Sequence, residues 1–357
     1  MASKYHIITY GCQANVSDSE KIATTLEKMK YKKASSKDEA DLIVINMCSV
    51  RQSAVDRVFG LNRKLIKLKN KNKKIKTILT GCVLKKDRKK LERIFDLILN
   101  IRDLPHWQNF IERRKNLIDC DYFEIKPKRQ KKFTAFIPIS NGCSNFCTYC
   151  VVPYTRGALF CRDHKQIIKE IKKAINQGVN EIWLLGQNVN NYVSPQDNSI
   201  KFPELLKKVN GIPGNFTIRF MSSHPKDFTD KLIENMAKCK KTAKFLHLPV
   251  QSGDNKILKK MNRSYTAEQY KKLIKKIRKE IPDINLSTDI IVGFPGETKK
   301  QFENTVKLCK EIGFDMAYIS KYSPRPGTPA FKIKDNVSWA EKKKREKILE
   351  KIINEQK

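Results

Sequence analysis

Acidic residues are the scarce class in this sequence. Its 357 residues hold 37 Asp and Glu against 73 Lys and Arg, a formal net charge of +36. A surface this short of carboxylates attracts polyanions, and a nucleic acid is the first expected partner. The blander reading is a solvated coat of lysine in a chain also rich in Ile and Asn. No apolar run is long enough to cross a bilayer, which excludes a helical membrane span. The first nine residues run straight into a strand pattern and lack the layout of a secretory signal. The expected location is cytoplasmic, with no membrane partner. There is no internal repeat of solenoid period.

Hydrophobic residues make up 40% of the chain, enough at this length for two cores. Apolar strand patterns at 5–9, 41–46 and 76–80 alternate with helical spacing at 17–29, 51–68 and 86–95. This alternation predicts an α/β, doubly wound parallel-sheet domain over 1–120. Residues 121–132 are charged and irregular, contain Pro127, and are expected to form a linker. A second series over 133–335 has strand patterns at 133–139, 181–185, 217–221, 244–248, 285–292 and 316–321. Helical patterns, among them 164–176, 266–280 and 298–311, separate these strands. Six βα repeats predict a (βα)6 partial or full TIM barrel. Residues 336–357 read as one amphipathic C-terminal helix, with Ser338 and Glu341 at capping-box spacing.

Ten cysteines in a reducing compartment read as metal ligands, catalytic thiols or small buried hydrophobes rather than disulfides. The sharpest pattern is Cys143-Ser-Asn-Phe-Cys147-Thr-Tyr-Cys150, a C-x3-C-x2-C run just after Gly142. Three thiolates on one tight loop can bind three irons of a [4Fe–4S] cube. The fourth iron then stays open to chelate the amino and carboxylate groups of a small molecule. Structural zinc usually takes four protein ligands, often as two C-x2-C pairs. No clear fourth ligand is present here; His164 is a candidate, but it is expected to face solvent at a helix start. The run follows the first barrel strand, at the carboxyl end where barrel active sites sit.

Three further cysteines hold equivalent places after the first three strands: Cys12 in Tyr10-Gly-Cys, Cys48 in Asn46-Met-Cys and Cys82 in Thr80-Gly-Cys. Equivalent ends of parallel strands lie side by side on the carboxyl edge, so these thiols can converge on a second [4Fe–4S] cluster. The alternative is three packed thiols. Cys120, Cys161, Cys239 and Cys309 have no such arrangement, and the last two lie in helical patterns where they are expected to pack. The other barrel strand tips are polar and glycine-rich, as a cofactor-binding mouth requires. They carry Gln187, Ser222-Ser-His224-Pro225, Gln251, Gly293 to Glu297 and Tyr322 to Gly327, and Asp289 lies in the fifth strand. His224 is a candidate proton donor or substrate contact, or a capping histidine.

Cys143 to Cys150 resembles the motif of the radical S-adenosylmethionine superfamily. With three cysteines ahead of it, the chain is similar to the methylthiotransferases, and most similar to their tRNA-modifying, MiaB-type branch. The stretches that carry the resemblance include Thr9 to Glu20, Cys48-Ser-Val-Arg51, Val152-Pro-Tyr-Thr-Arg-Gly157 and Leu185-Gly-Gln-Asn-Val189. Others are Arg219 to Pro225, His247 to Gly253, Met261-Asn-Arg263, Asp289 to Glu297 and Tyr322 to Ala330, so nearly the whole chain is covered.

The resemblance implies that a cluster on Cys143, Cys147 and Cys150 reduces S-adenosylmethionine to a 5′-deoxyadenosyl radical. The radical takes hydrogen from C2 of isopentenyladenosine beside the tRNA anticodon. Sulfur comes from or through a cluster on Cys12, Cys48 and Cys82, and a second S-adenosylmethionine gives the methyl group. It also implies an electron donor such as flavodoxin or ferredoxin. Gln187, Gln251 and Asp289, from the barrel strands and their tips, are the candidate residues for an S-adenosylmethionine pocket. The family follows its Val-Pro-Tyr-Thr-Arg-Gly stretch with a Glu and then a Ser-Arg pair, where this chain has Leu159 and Cys161-Arg162. It also usually ends in a β-barrel TRAM domain that grips RNA, and this chain stops at the helix that would precede it. Rival readings are a methylthiotransferase for threonylcarbamoyl-adenosine in tRNA or for a ribosomal protein. A rival of another class is a non-catalytic, zinc-stabilised RNA-binding protein.

Overall fold

Short apolar strands followed by basic helices set the architecture from the first residues onward. A computed structural model of the chain describes residues 3–112 and 121–356. The chain divides into two compact units: Met1–Lys132 with Val151–Gly157, and Phe133–Cys150 with Ala158–Lys357.

The first unit is built on a parallel sheet of β1 (Lys4–Tyr10), β2 (Lys32–Lys33), β3 (Leu42–Cys48), β4 (Lys76–Cys82) and β5 (Leu97–Ile98), in the order β2-β1-β3-β4-β5. Every residue of β3 is buried, because a central parallel strand is covered on both faces. On one face, α1 (Gln13–Lys28) and α5 (Trp107–Glu112) bring Ile22, Leu26, Trp107 and Ile111 onto Leu42, Val44 and Ile78. On the other, α2 (Gln52–Gly60), α3 (Asn62–Lys71) and α4 (Lys85–Leu91) bring Val55, Val58, Leu65 and Leu91 onto Ile43, Ile45 and Leu79. The unit is thus doubly wound. The short α6 (Val152–Thr155) also belongs to it.

Several elements differ from their sequence-based bounds. The strands expected to stop at Asn46 and Thr80 run on to Cys48 and Cys82. Asn46 is polar but satisfied in the core, where its Nδ2 donates to Asn15 O at 2.8 Å and Ser19 Oγ at 3.0 Å. The helix expected over 17–29 starts four residues earlier, at Gln13, with Cys12 as its N-cap residue. The single helix expected over 51–68 breaks at Leu61 into α2 and α3. Within the stretch expected as a linker, Tyr122, Phe123 and Ile125 are buried in the core of this unit. Lys21 Nζ donates to Tyr122 O at 2.8 Å and lies over the Tyr122 ring.

In the second unit, β6 (Thr134–Pro138), β9 (Glu181–Leu185) and β10 (Thr217–Phe220) form one parallel sheet, and β11 (Phe245–His247), β12 (Asn285–Val292) and β13 (Met316–Lys321) another. A bridge between Ile218 and Thr242 continues the order from β10 toward β11, which gives a (βα)6 partial barrel. Between the strands run α7 (His164–Asn176), α8 (Phe202–Asn210), α9 (Asp230–Lys238), α10 (Asn255–Lys260), α11 (Ala267–Glu280) and α12 (Lys299–Ile312). Ile167, Leu205, Leu232, Ile274 and Leu308 carry these helices onto the strands. Thr266 and Thr298 cap α11 and α12, each accepting a backbone N–H from the third helical residue. A two-residue hairpin pairs β7 (Ser140–Asn141) with β8 (Phe160–Cys161). The last helix, α13 (Trp339–Glu355), buries Leu349 and Ile353 in the same core. Ser338 Oγ accepts from Glu341 N at 3.2 Å, while the Glu341 carboxylate pairs with Arg345 at 2.8 Å. Cys239 and Cys309 pack in this core, as expected of them. Among the described residues no helix is long and apolar enough to cross a membrane.

Candidate functional site

In the first unit, β1, β3 and β4 are neighbours, and Cys48 and Cys82 stand opposite each other in register at the carboxyl end. Cys12 follows β1 by two residues and caps α1. Asn15 fixes that turn: its Oδ1 accepts from Cys12 N at 3.2 Å, and its Nδ2 donates to Asn46 Oδ1 at 2.9 Å and Met47 O at 3.2 Å. The equivalent strand ends are thereby tied together.

Gly81 has φ +94, and a Cβ there would lie 2.3 Å from Met47 O. Only glycine lets β4 approach β3 so closely beside Cys82. Gly81→Ala is expected to destabilise the chain by about 2 kcal/mol or more. At Gly60, where nothing lies within 4 Å of an added Cβ, alanine is expected to be neutral or stabilising. Urea titration of the two variants checks this, and equal midpoints would contradict it.

Arg156 is buried and aimed at this trio. Its Nε donates to Cys82 Sγ at 3.1 Å and its Nη2 to Asp18 Oδ2 at 2.7 Å, with Tyr122 also bonded to Asp18. The neighbouring Cys48 thiol, against the opposing effect of burial and together with Arg156, draws the Cys82 thiol below its ordinary value, while its pairing with Cys82 and burial raise Cys48. Ser49 Oγ, beside Cys48, is buried without a partner among the described residues. An anion-favouring sulfur pocket with a spare hydrogen-bonding group fits an iron–sulfur cluster. No three His, Cys, Asp or Glu side chains among the described residues are gathered closely enough to hold a single metal ion. Cluster thiolates bind different irons and stand farther apart than the ligands of one ion.

In the second unit the C-x3-C-x2-C loop leaves β7 through Gly142, φ +79. The loop is latched by the turn after α10. Asn262 Nδ2 donates to Asn145 O and Phe146 O, both at 3.1 Å. Thr148 N donates to Met261 O at 3.1 Å, and Thr148 Oγ1 to Lys260 O at 2.8 Å. Gly142 N donates to Gln187 Oε1 at 2.5 Å. Cys147 is buried and Cys143 and Cys150 half-buried, and burial pushes the Cys143 thiol up.

Arg263 completes this site. Its Nη1 donates to Cys147 Sγ at 3.5 Å, its Nη2 to Pro249 O at 2.8 Å and its Nε to Tyr265 Oη at 2.8 Å. Among the described residues no carboxylate pairs with it, although it is buried. A buried guanidinium without a countercharge costs several kcal/mol. Its contact with the Cys147 sulfur is where an anionic cluster would supply that countercharge, so the donor set fits such a cluster here as well.

Strain gathers at the same mouth. Five described non-glycine residues have positive φ, and four of them, Phe146, Ser222, Gln251 and Asn262, lie on this loop, its latch or the strand tips. Such conformations cost about 1–3 kcal/mol each and cluster at functional sites. Gln251 and Asp289 are brought together, since Gln251 N donates to Asp289 O at 2.9 Å. The Asp289 carboxylate meets His247 Nε2 at 3.3 Å. Gln187 instead holds the cysteine loop. His224 caps a short turn, accepting from Lys226 N at 3.2 Å, and burial together with Arg263 and Lys226 pushes its pKa down to about 2. It is a neutral imidazole.

His164, expected to face solvent, is buried and bonds Ser194 Oγ at 3.0 Å, because Asp163 takes the cap position and turns it inward. Of the departures from the family pattern, Leu159 N donates to Ser144 Oγ at 3.1 Å, Cys161 lies on β8, and Arg162 pairs with Glu170 at 2.5 Å. Cys120 lies outside the described residues. Arg156, Asn262 and Arg263 had no assigned role from sequence. The only signal for them was their place inside short motifs shared with the family.

A partial (βα)6 barrel with a C-x3-C-x2-C loop after its first strand defines a radical S-adenosylmethionine enzyme. A model of the Radical SAM superfamily matches residues 137–309, and one of the Uncharacterized protein family UPF0004 matches residues 4–100. The chain is 44% identical to a tRNA-2-methylthio-N(6)-dimethylallyladenosine synthase of Clostridium botulinum (strain Langeland), over 99% of this chain and 82% of that protein. It is 45% identical to a synthase of the same name from Thermoanaerobacter sp. (strain X514), over 98% of this chain and 77% of that one. The chain therefore belongs to the family of tRNA-2-methylthio-N(6)-dimethylallyladenosine synthases, which are radical S-adenosylmethionine transferases. Among solved structures it is similar to the radical S-adenosylmethionine methyltransferase TsrM from Kitasatospora setae. The TM-score is 0.67 at 13% identity, over 92% of this chain and 77% of that one, a likeness of fold alone. Superfamily membership implies S-adenosylmethionine and one [4Fe–4S] cluster as cofactors.

Proposed function

We propose that this enzyme adds a methylthio group to C2 of N6-isopentenyladenosine beside the anticodon of tRNA. Residues 133–335 form the radical domain, with one [4Fe–4S] cluster on Cys143, Cys147 and Cys150. Residues 1–120 hold a second on Cys12, Cys48 and Cys82. The observation that carries this reading is the pair of cysteine trios, each with a buried guanidinium donating to one of its sulfurs: Arg156 to Cys82 and Arg263 to Cys147. The relatives that match nearly all of this chain carry the synthase name.

When bound, the first cluster supplies the electron that splits S-adenosylmethionine into a radical able to take hydrogen from an unactivated aromatic carbon, and the second supplies sulfur. The chain's own residues do the rest. Asn262 and Thr148 hold the cysteine loop in one shape, and Gln187 anchors its first turn. Arg263 and Arg156 offset negative charge at the sulfurs. Gln251 and Asp289 line the mouth and contact S-adenosylmethionine. His224, uncharged, keeps one ring nitrogen bound to backbone and presents the other as a donor. A flavodoxin- or ferredoxin-type protein delivers the electron in the cytoplasm.

Mass spectrometry of tRNA nucleosides from a deletion strain tests the substrate. The methylthio derivative of isopentenyladenosine is expected to disappear and isopentenyladenosine to accumulate. An unchanged methylthio-isopentenyladenosine pool, with loss of a methylthio group from threonylcarbamoyl-adenosine or a ribosomal protein, would overturn the assignment.

A further inference from the structure

Between Leu61 and Arg93 the sequence carries fourteen Lys and Arg against two Asp and Glu. That is a third of the chain's net charge of +36 in less than a tenth of its length. A coat of lysine spread by composition alone would not concentrate in this way. The fold places this charge on one side. Both α3 and α4 pack on the same face of the first unit's sheet, through Leu65 and Leu91. They flank β4 in sequence, one before it and one after, and share that core. Leu65 and Leu91 are buried against the sheet, while Lys64, Lys67, Lys71, Lys85, Lys89 and Lys90 are exposed, with Ile66 the one exposed apolar side chain among them. Ion pairs within this stretch include Lys69 with Asp96 and Arg88 with Glu92. Lys85 follows Cys82 by only three residues, so this basic face begins at the sheet edge that carries the cysteines.

We infer that the outer face of α3 and α4 is the surface on which this enzyme holds the phosphate backbone of its RNA. The two helices present rows of ammonium groups with few acids between them. Such rows match a repeating line of phosphates rather than a single anionic ligand. Lysine binds phosphate as a mobile point charge, so the face grips backbone without reading bases. Base recognition is left to the site at the cysteine edge. The inference rests on tRNA being the substrate, as proposed above.

The test uses the reconstituted holoenzyme and tRNA unmodified at C2. One variant changes Lys64, Lys67, Lys71, Lys85, Lys89 and Lys90 to Gln. A control removes equal charge elsewhere, at Lys272, Lys275, Lys279, Lys343, Lys344 and Lys347, which are also exposed. Binding is followed by fluorescence anisotropy over a range of salt. The face variant is expected to bind tRNA at least about tenfold more weakly near 0.1 M salt. Its plot of log affinity against log salt should flatten by roughly 0.7–0.9 for each phosphate that the protein no longer neutralises. The control should change little, and both variants should cleave S-adenosylmethionine and melt like the parent. Equal weakening by the control, or an unchanged salt slope in the face variant, overturns the inference. So does a face variant that loses binding to phosphatidylserine vesicles while keeping its tRNA affinity. If the parent enzyme itself fails to bind tRNA at low salt, the substrate reading falls, and this surface with it.

Discussion

Cys147→Ala is expected to lower S-adenosylmethionine cleavage at least about a thousandfold, and Cys48→Ala to spare cleavage while ending methylthio transfer. Cys147 is the buried middle cysteine of its loop and the sulfur that faces Arg263. On the proposed assignment its loss removes a cluster ligand and leaves a buried guanidinium without an anion, a change that costs about 3–5 kcal/mol in comparable pairs. Cys48 belongs to the other trio, in the other compact unit, beside Cys82. On the proposed assignment its loss takes a ligand from the sulfur-supplying cluster, while the loop held by Asn262 and Thr148 is untouched. Anaerobic assays for 5′-deoxyadenosine and for methylthio-nucleoside in tRNA separate the two outcomes. If Cys48→Ala stopped both reactions, or Cys147→Ala neither, the division of labour between the trios would be wrong.

Arg263→Met should leave the cluster on the C-x3-C-x2-C loop harder to reduce. The guanidinium lies 3.5 Å from the Cys147 sulfur, and a positive charge about 4 Å from an added electron, in surroundings of effective dielectric near 20, would be worth about 4 kcal/mol. Removing it should move the midpoint potential negative by on the order of 100 mV. Arg263→Lys keeps the charge but cannot bridge Pro249 O, Tyr265 Oη and Cys147 Sγ at once, so an intermediate shift is expected. Redox titration followed by electron paramagnetic resonance reads the potential independently of turnover. A fully loaded Arg263→Met protein with the parent's potential would show that the guanidinium only packs.

The parts of the fold legible in the sequence were those set by local period. Strand 316–321 and helix 164–176 have their predicted bounds, because alternation and amphipathic spacing fix them without help from afar. The three N-terminal cysteines could be brought to one edge because position after a strand is a local property that a parallel sheet turns into proximity. Tertiary context decided the rest. Asn46 reads as a strand end until Asn15 and Ser19 supply its partners across 31 and 27 residues. Tyr122 and Phe123 sit in a charged stretch, yet their rings fill a core beside Lys21. Arg156 reaches Cys82 across 74 residues, and Arg263 reaches Cys147 across 116. No periodicity encodes such pairings. His164 turns inward for the same reason, through Ser194, 30 residues away.

Iron and acid-labile sulfide, measured with electron paramagnetic resonance on anaerobically reconstituted protein, bear most directly on the two cysteine trios. About eight irons and eight sulfides per chain are expected, falling to about four of each in Cys48→Ala and in Cys147→Ala. Stoichiometric zinc without iron, or a full complement of iron that neither substitution reduces, would contradict two clusters held on these six thiols.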